Sequence, residues 1–232
     1  MIVAEIEAAK NGEPARVVAK INGLSDKNII DKLVEASQAG VQVTLYIRGV
    51  CCMRAGVPGL TENVTIKSMV GRFLEHPRIF LFGYGERQHM YIGSADWMTR
   101  NLNYRVEVAV EILDEEVKAT LFDVLEILSK DNMMARVQQP DGTYKRVYPA
   151  EGEKKVNSQY EQYQLFKWLR ESTSCIDVNE HAPIRTVIEE ENASQSVVKP
   201  TTVNKVKPHV GQAPESAVQK EPKTFMERLK YV

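Results

Sequence analysis

Three short segments of this chain carry residues suited to holding a phosphate. They are Ile-Arg-Gly-Val-Cys-Cys at 47–52, Gly-Arg-Phe-Leu-Glu-His-Pro-Arg at 71–78 and Tyr-Ile-Gly-Ser-Ala-Asp-Trp-Met-Thr-Arg-Asn at 91–101. Together they supply Arg48, Arg72, His76, Arg78, Ser94 and Arg100. A guanidinium offers a fixed fork of donors that matches phosphate oxygens. Histidine adds a group that gains or loses a proton near neutral pH. The combination points to phosphoryl chemistry. The surrounding charge agrees: from Arg48 to Arg105 stand seven Arg and Lys67 against Glu62, Glu75, Glu86 and Asp96, an excess of +4 in a chain of net charge −1. Solvated surface arginines are the plain alternative for some of these positions.

Each segment lies at or just after the end of an apolar, strand-like run. Residues 2–11 read as a helix that stops at Asn11-Gly12. Residues 15–21 have the alternation and β-branched content of a strand. Ser25 or Asp26 can cap the next helix, whose apolar positions Ile29, Ile30, Leu33, Val34 and Ala36 have helical spacing, and Gly40 ends it. A strand follows at 41–47, so strand, helix and strand form a βαβ unit with parallel strands. Residues 48–63 read as a Gly- and Pro-containing loop. Strands are expected at 64–69, 78–83 and 89–93, with a longer one at 104–113. A helix from Asp114 to Ser129 carries acidic residues in its first turn, which suit the helix dipole. Residues 134–147 read as a hairpin turning at Asp141-Gly142. The ordered domain is expected over 1–149, an amphipathic helix within 150–171, and a mostly disordered tail over 172–232. Phe225 to Val232 could form a short helical or docking element within that tail.

Composition sets outer bounds. At 232 residues, 43% hydrophobic and 26% charged, the chain can bury a real core. Its near-zero net charge gives no reason to expect a nucleic-acid partner. The odd cysteine count (Cys51, Cys52, Cys175) argues against a disulfide framework. No His or Cys has zinc-ligand spacing, so no metal site is expected in this chain. Reduced thiols suit the cytoplasm. The acidic start, Met-Ile-Val-Ala-Glu-Ile-Glu, does not look like a signal peptide, and no run suits a transmembrane segment.

At this point residues 1–148 resemble a known family: the C-terminal catalytic domain of bacterial polyphosphate kinase, the two-histidine enzyme with phospholipase D-like catalytic domains. The matching text is Lys-Ile-Asn-Gly-Leu-Ser-Asp-Lys-Asn-Ile-Ile-Asp (20–31), Glu-Ala-Ser-Gln-Ala-Gly-Val (35–41), Arg-Gly-Val-Cys (48–51), Gly-Val-Pro-Gly-Leu (56–60), Arg-Phe-Leu-Glu-His (72–76) and Ser-Ala-Asp-Trp-Met-Thr-Arg-Asn (94–101). The spacing from Arg48 to His76 fits the family too. The resemblance implies an α/β fold, a phospholipase D-like mixed sheet flanked by helices.

It also implies a reaction: reversible transfer of the terminal phosphate of ATP to inorganic polyphosphate through a phosphohistidine. In the family that histidine, and the residues holding Mg2+, belong to the first catalytic domain, which these residues do not include. The chain would then be a fragment or one subunit of a split enzyme, inactive alone. Its partners would be ATP, ADP, polyphosphate and either the missing catalytic half or further copies of itself. The resemblance makes Arg48 and His76 the ATP-contacting pair, with His76 donating a proton or stabilising charge. Arg72, Arg78, Ser94 and Arg100 are further phosphate contacts or salt-bridge partners. Asp96 would orient His76 or an arginine, or cap the core. His89 is read as structural, Trp97 and Met98 as packing, and Cys51 and Cys52 as core residues at a strand end. The location implied is cytoplasmic, with any membrane association made through partners.

Two rival readings remain. One is a non-catalytic module that binds polyphosphate or nucleotide. The other is a phosphodiesterase with His76 as nucleophile. Against the latter, Arg78 stands where a His-x-Lys-x4-Asp signature needs lysine.

Overall fold

The computed structural model describes residues 1–173. Its element order is α1 (Ile2–Lys10), β1 (Arg16–Ile21), α2 (Lys27–Gln38), β2 (Gln42–Ile47), β3 (Val64–Met69), β4 (Ile79–Phe82), a 3-10 turn (Gly85–Arg87) and β5 (His89–Gly93). Then come α3 (Thr99–Asn103), β6 (Ala109–Glu111), α4 (Glu115–Lys130), β7 (Ala135–Gln138), β8 (Tyr144–Arg146) and α5 (Ser158–Thr173). All eight strands join one sheet in the order β6-β5-β4-β1-β2-β3-β7-β8. β1, β2 and β3 run parallel, and the others pair antiparallel. This is the mixed α/β sheet that the sequence leads one to expect.

Alternation along β1 divides the interior in two. Val17, Ala19 and Ile21 join α1, α2 and Trp97 in one core, with Leu33 and Ile47 almost fully enclosed. Val18 faces the other side, with Tyr46, Ile79, Leu81 and Met90, where α4 contributes Val124, Leu125 and Leu128 and α5 contributes Leu165. Each enclosed Leu or Ile side chain stabilises by about 1.5–3 kcal/mol relative to exposure. Period-2 strands and period-3.6 helices thus meet on both faces.

Local signals act as expected. Asp26 is the α2 cap: its Oδ1 accepts from the Asn28 and Ile29 N–H groups at 3.1 and 3.2 Å. Gly40, at φ 95°, lets the chain leave α2 directly into β2. Asp114 caps α4 by accepting from Val117 N–H.

The strand expected at 104–113 is a correction. Only Ala109–Glu111 pairs with β5. Glu107 is drawn aside, accepting from Asn101 Nδ2 at 2.6 Å and from the Ser94 hydroxyl. Val106 is left 97% exposed. Cys52 is exposed rather than core, and Cys51 is half-buried.

Past Pro149 the chain continues to bond to the domain. Asn132 exchanges hydrogen bonds with Lys154 and Val156. Asp131 Oδ2 accepts from Ser158 N–H at 2.7 Å at the start of α5. Met1–Phe166 form one compact unit; of a second, 167–222, the structure describes only the continuation of α5. The tail expected to be disordered and the Phe225–Val232 element lie, from residue 174, outside the described residues. No helix among the described residues is long and apolar enough to cross a membrane.

Candidate phosphate site

The topology delivers four chain segments to one edge of the sheet. β1 and β2 are parallel with Ile21 beside Ile47, so Asn22 and Arg48 emerge side by side. β4 runs antiparallel to β1 with Ile79 opposite Lys20, so His76, Pro77 and Arg78 approach the same edge from the other direction. β5 returns with Ile92 opposite Ile79, and Ser94 and Asp96 follow it there. Open α/β sheets bind ligands beyond the carboxyl ends of their parallel strands.

Asp96 anchors the arrangement. Its buried carboxylate accepts from Asn22 N–H at 2.6 Å and from Asn22 Nδ2 at 3.4 Å. Arg78 grips it with two prongs, Nε to Oδ1 at 3.3 Å and Nη2 to Oδ2 at 3.0 Å. Burial pushes the Asp96 carboxyl up, but the donors from Arg78 and Asn22 outweigh it and hold it below the usual carboxylate range. Arg78 Nη1 then lies 2.5 Å from His76 Nδ1 and donates to the His76 carbonyl at 3.0 Å. A guanidinium only donates, so Nδ1 must accept. The neutral ring that this network selects carries its proton on Nε2. His76 itself is exposed.

Arg48 closes the cluster from β2. Its Nε donates to Asn22 Oδ1 at 2.8 Å and to the Glu75 carbonyl at 2.5 Å. Among the described residues no hydrogen bond engages its Nη1 or Nη2, so the fork is held by its stem with its tips unspent. Beneath lies Lys20, 2% exposed, with Nζ 3.4 Å from Glu75 Oε2. That contact is ionic without hydrogen-bond geometry, and Oε2 has no hydrogen-bond partner. Burial lowers the Lys20 pKa, and the Glu75 carboxylate opposes the shift.

Arg48, His76, Arg78 and Asp96 are therefore brought together through Asn22 and Glu75. Arg72 is exposed and lies over the Phe73 ring at 5.7 Å. Arg100, on α3, reaches Met98 Sδ at 3.8 Å. The Ser94 hydroxyl donates to Glu107 and accepts from Val108 N–H. Among the described residues no hydrogen bond ties Arg72, Ser94 or Arg100 to the cluster. His89 pairs with Glu111 at 2.6 Å at the far end of β5. Trp97 stacks on Phe80 at 5.5 Å between ring centres.

Sequence reasoning did not single out Lys20, Asn22 or Glu75 as site residues. The one available signal was a lysine inside Arg-Val-Val-Ala-Lys-Ile, a strand whose other inward positions are apolar. Gly49 shows how tight the strand ends are: a Cβ there would meet the Asn22 carbonyl oxygen at 2.7 Å. Gly49→Ala should destabilise the fold by about 1–3 kcal/mol, because backbone must move. Chemical denaturation measures this, and an unchanged midpoint would show that the β1 and β2 ends separate freely.

Among the described residues no group of three or more His, Cys, Asp or Glu could hold a metal ion.

The fold and this network define an α/β domain with a cationic, carboxylate-braced site at the ends of its central strands. Residues 1–159 match the family described as polyphosphate kinase C-terminal domain 2, and the chain belongs to the polyphosphate kinase family. It is 51% identical over 153 residues to a polyphosphate kinase of Thermosynechococcus vestitus, covering 66% of this chain and 21% of that protein. A polyphosphate kinase of Synechocystis sp. is 48% identical over 159 residues, covering 68% and 22%. The crystal structure of polyphosphate kinase from Porphyromonas gingivalis superposes with a TM-score of 0.70 at 37% identity, covering 74% of this chain and 26% of that one. The chain spans about a fifth of the length of these curated relatives.

Proposed function

We propose that this domain supplies one half of a polyphosphate kinase site, binding the phosphates of ATP and of inorganic polyphosphate while the terminal phosphate moves reversibly between them. The acceptor in this reading is a phosphohistidine in a further catalytic domain, where Mg2+ would also be held. The reading has a cytoplasmic enzyme as its setting. The observation that carries it is the Arg48–His76 pair. Glu75 presents its carbonyl to Arg48 and is followed directly by His76, so the unspent guanidinium tips and the His76 ring are positioned together.

The chemistry asked of this half is electrostatic. Charge accumulates on the transferring phosphoryl oxygens and must meet fixed donors. Arg48 offers Nη1 and Nη2. His76 offers Nε2–H, because Arg78 occupies Nδ1. A neutral ring with its proton on Nε2 is set to donate a hydrogen bond to a phosphoryl oxygen, which favours this role over attack on phosphorus from the same nitrogen. No synthesis of polymer is expected from this domain by itself, because the acceptor histidine in this reading belongs to another domain.

The test is binding of tripolyphosphate by calorimetry at fixed low salt. A hydrogen bond to a charged group is worth about 1.5–3 kcal/mol, so Arg48→Ala should weaken binding roughly tenfold to hundredfold. Arg48→Lys should recover only part, since lysine lacks the fork. Equal affinity in parent and Arg48→Ala rejects the assignment.

A further inference from the structure

The loop that carries His76 is gripped by a residue far along the chain. Gln159, in the first turn of α5, aligns its side-chain amide with the loop backbone as a neighbouring strand would. Its Oε1 accepts from Phe73 N–H at 3.0 Å, and its Nε2 donates to the Phe73 carbonyl at 2.7 Å. The same Nε2 donates to Glu75 Oε1 at 3.0 Å. Gly71 is packed so closely that a Cβ there would lie 2.4 Å from Gln159 Oε1. One amide thus makes three hydrogen bonds to two residues of the loop, Phe73 and Glu75.

The grip is braced on both sides. Asn157 Oδ1 accepts from Gln159 N–H at 3.1 Å and from Tyr160 N–H at 3.2 Å, which fixes the start of the helix. Asp131 holds Ser158 N–H with Oδ2, while its Oδ1 accepts from Met133, Met134 and Ala135. On the loop side, Glu75 is the shared point. Gln159 takes Oε1, Lys20 lies against Oε2, and Arg48 takes the carbonyl. Phosphate ligands at the Arg48–His76 edge therefore meet a geometry set in part by α5.

We infer that Gln159 is a positioning residue: through its bonds to Phe73 and Glu75 it sets His76 and Arg48 for phosphate. The inference rests on the reading of that cluster as a phosphate site. The Gln159 side chain bonds to Phe73 and Glu75 and not to the Arg48 or His76 side chains. It acts through the loop, and both its donor and its acceptor are needed.

Gln159→Glu tests this with little change of shape. It keeps an acceptor for Phe73 N–H, removes the donor, and sets a carboxylate against the Phe73 carbonyl and the Glu75 carboxylate. Gln159→Leu removes both functions. Tyr160→Ala, on an exposed residue of the same turn, is the control. Two measurements are made on the full chain: calorimetric affinity for tripolyphosphate, and the response of the His76 ring NMR signals to the same probe. Gln159→Glu and Gln159→Leu should each lose roughly tenfold in affinity, about one hydrogen bond to a charged group. In both, the His76 ring response should fall away while the fold, read by circular dichroism, persists. Tyr160→Ala should match the parent. If both Gln159 variants bind as the parent does, with the His76 response intact, while Arg48→Ala does not bind, Gln159 only stabilises and the inference is overturned. If Arg48→Ala also binds normally, the phosphate reading itself fails. If a Gln159 variant does not fold, Gly71→Ala, which crowds the same amide from the loop side, replaces it under the same criteria.

Discussion

His76→Ala, introduced into a full-length polyphosphate kinase carrying this domain, should lower phosphoryl transfer by about 10²–10³ in rate, the usual worth of one fixed donor aimed at charge that develops in the transition state. The fold should survive, because the ring is exposed and, among the described residues, its hydrogen bond is to Arg78 alone. His76→Gln is the sharper variant. Its amide can donate a hydrogen bond but has no proton to give up. Activity near the parent's in His76→Gln would assign His76 to positioning phosphate. Activity near the parent's in both variants, with an unaltered pH profile, would remove His76 from the reaction. His89→Ala is the matched control, since His89 meets Glu111 away from the cluster. Steady-state assays in both directions, ATP consumed and ATP formed, report the effect.

Asp96→Ala should be the most damaging change to stability in this region. Asp96 and Arg78 have side chains only 7% and 10% exposed. Removing one partner of a buried ion pair leaves the other charge unanswered, typically at a cost of about 3–5 kcal/mol. It also frees Asn22 N–H and releases Arg78 from its two-pronged anchor, so His76 loses the donor against Nδ1. Stability should depend on pH in one direction. The folded-state pKa of Asp96 is depressed, so its contribution is present above the unfolded carboxyl value and is lost as pH falls through the folded one. Denaturation of the parent should therefore show an added loss of stability below about pH 4, the ordinary aspartate value. Asp96→Ala should lose less over that range. Parallel acid profiles for the two proteins would show that the pair does not govern this loss.

Much of the scaffold was legible because its causes are local. Asp26 before an apolar 3.6-residue rhythm means a capped helix, and Asp141-Gly142 between polar strands means a turn. Gly142 takes φ 89° there. The strand at 104–113 was over-read because alternation alone does not supply a partner. Val106, Val108 and Val110 alternate well, but only Ala109–Glu111 finds a ladder partner, while the Glu107 side chain bonds to Asn101 and Ser94. The site was legible by residue type and by resemblance at Arg48, His76 and Asp96. Its bracing was not. Lys20 and Glu75 are 55 positions apart, and Gln159 meets Phe73 across 86. Nothing in either stretch signals the other, since only the sheet order and the return of α5 bring them together.

Among the described residues the sheet ends in β6 and in β8, and the two ends differ in character. At β8 the terminal strand offers exposed Lys145 and Arg146, charges that discourage another strand from adding there. At β6 the edge carries exposed Val108 and Val110, with exposed Val106 and Leu113 flanking it. The β6 end is the more apolar of the two, although β6 also carries exposed Glu111. In a crowded solution of partly unfolded chains, edge-to-edge association should therefore begin more readily at β6 than at β8, which gives any liability to aggregate a direction along the sheet.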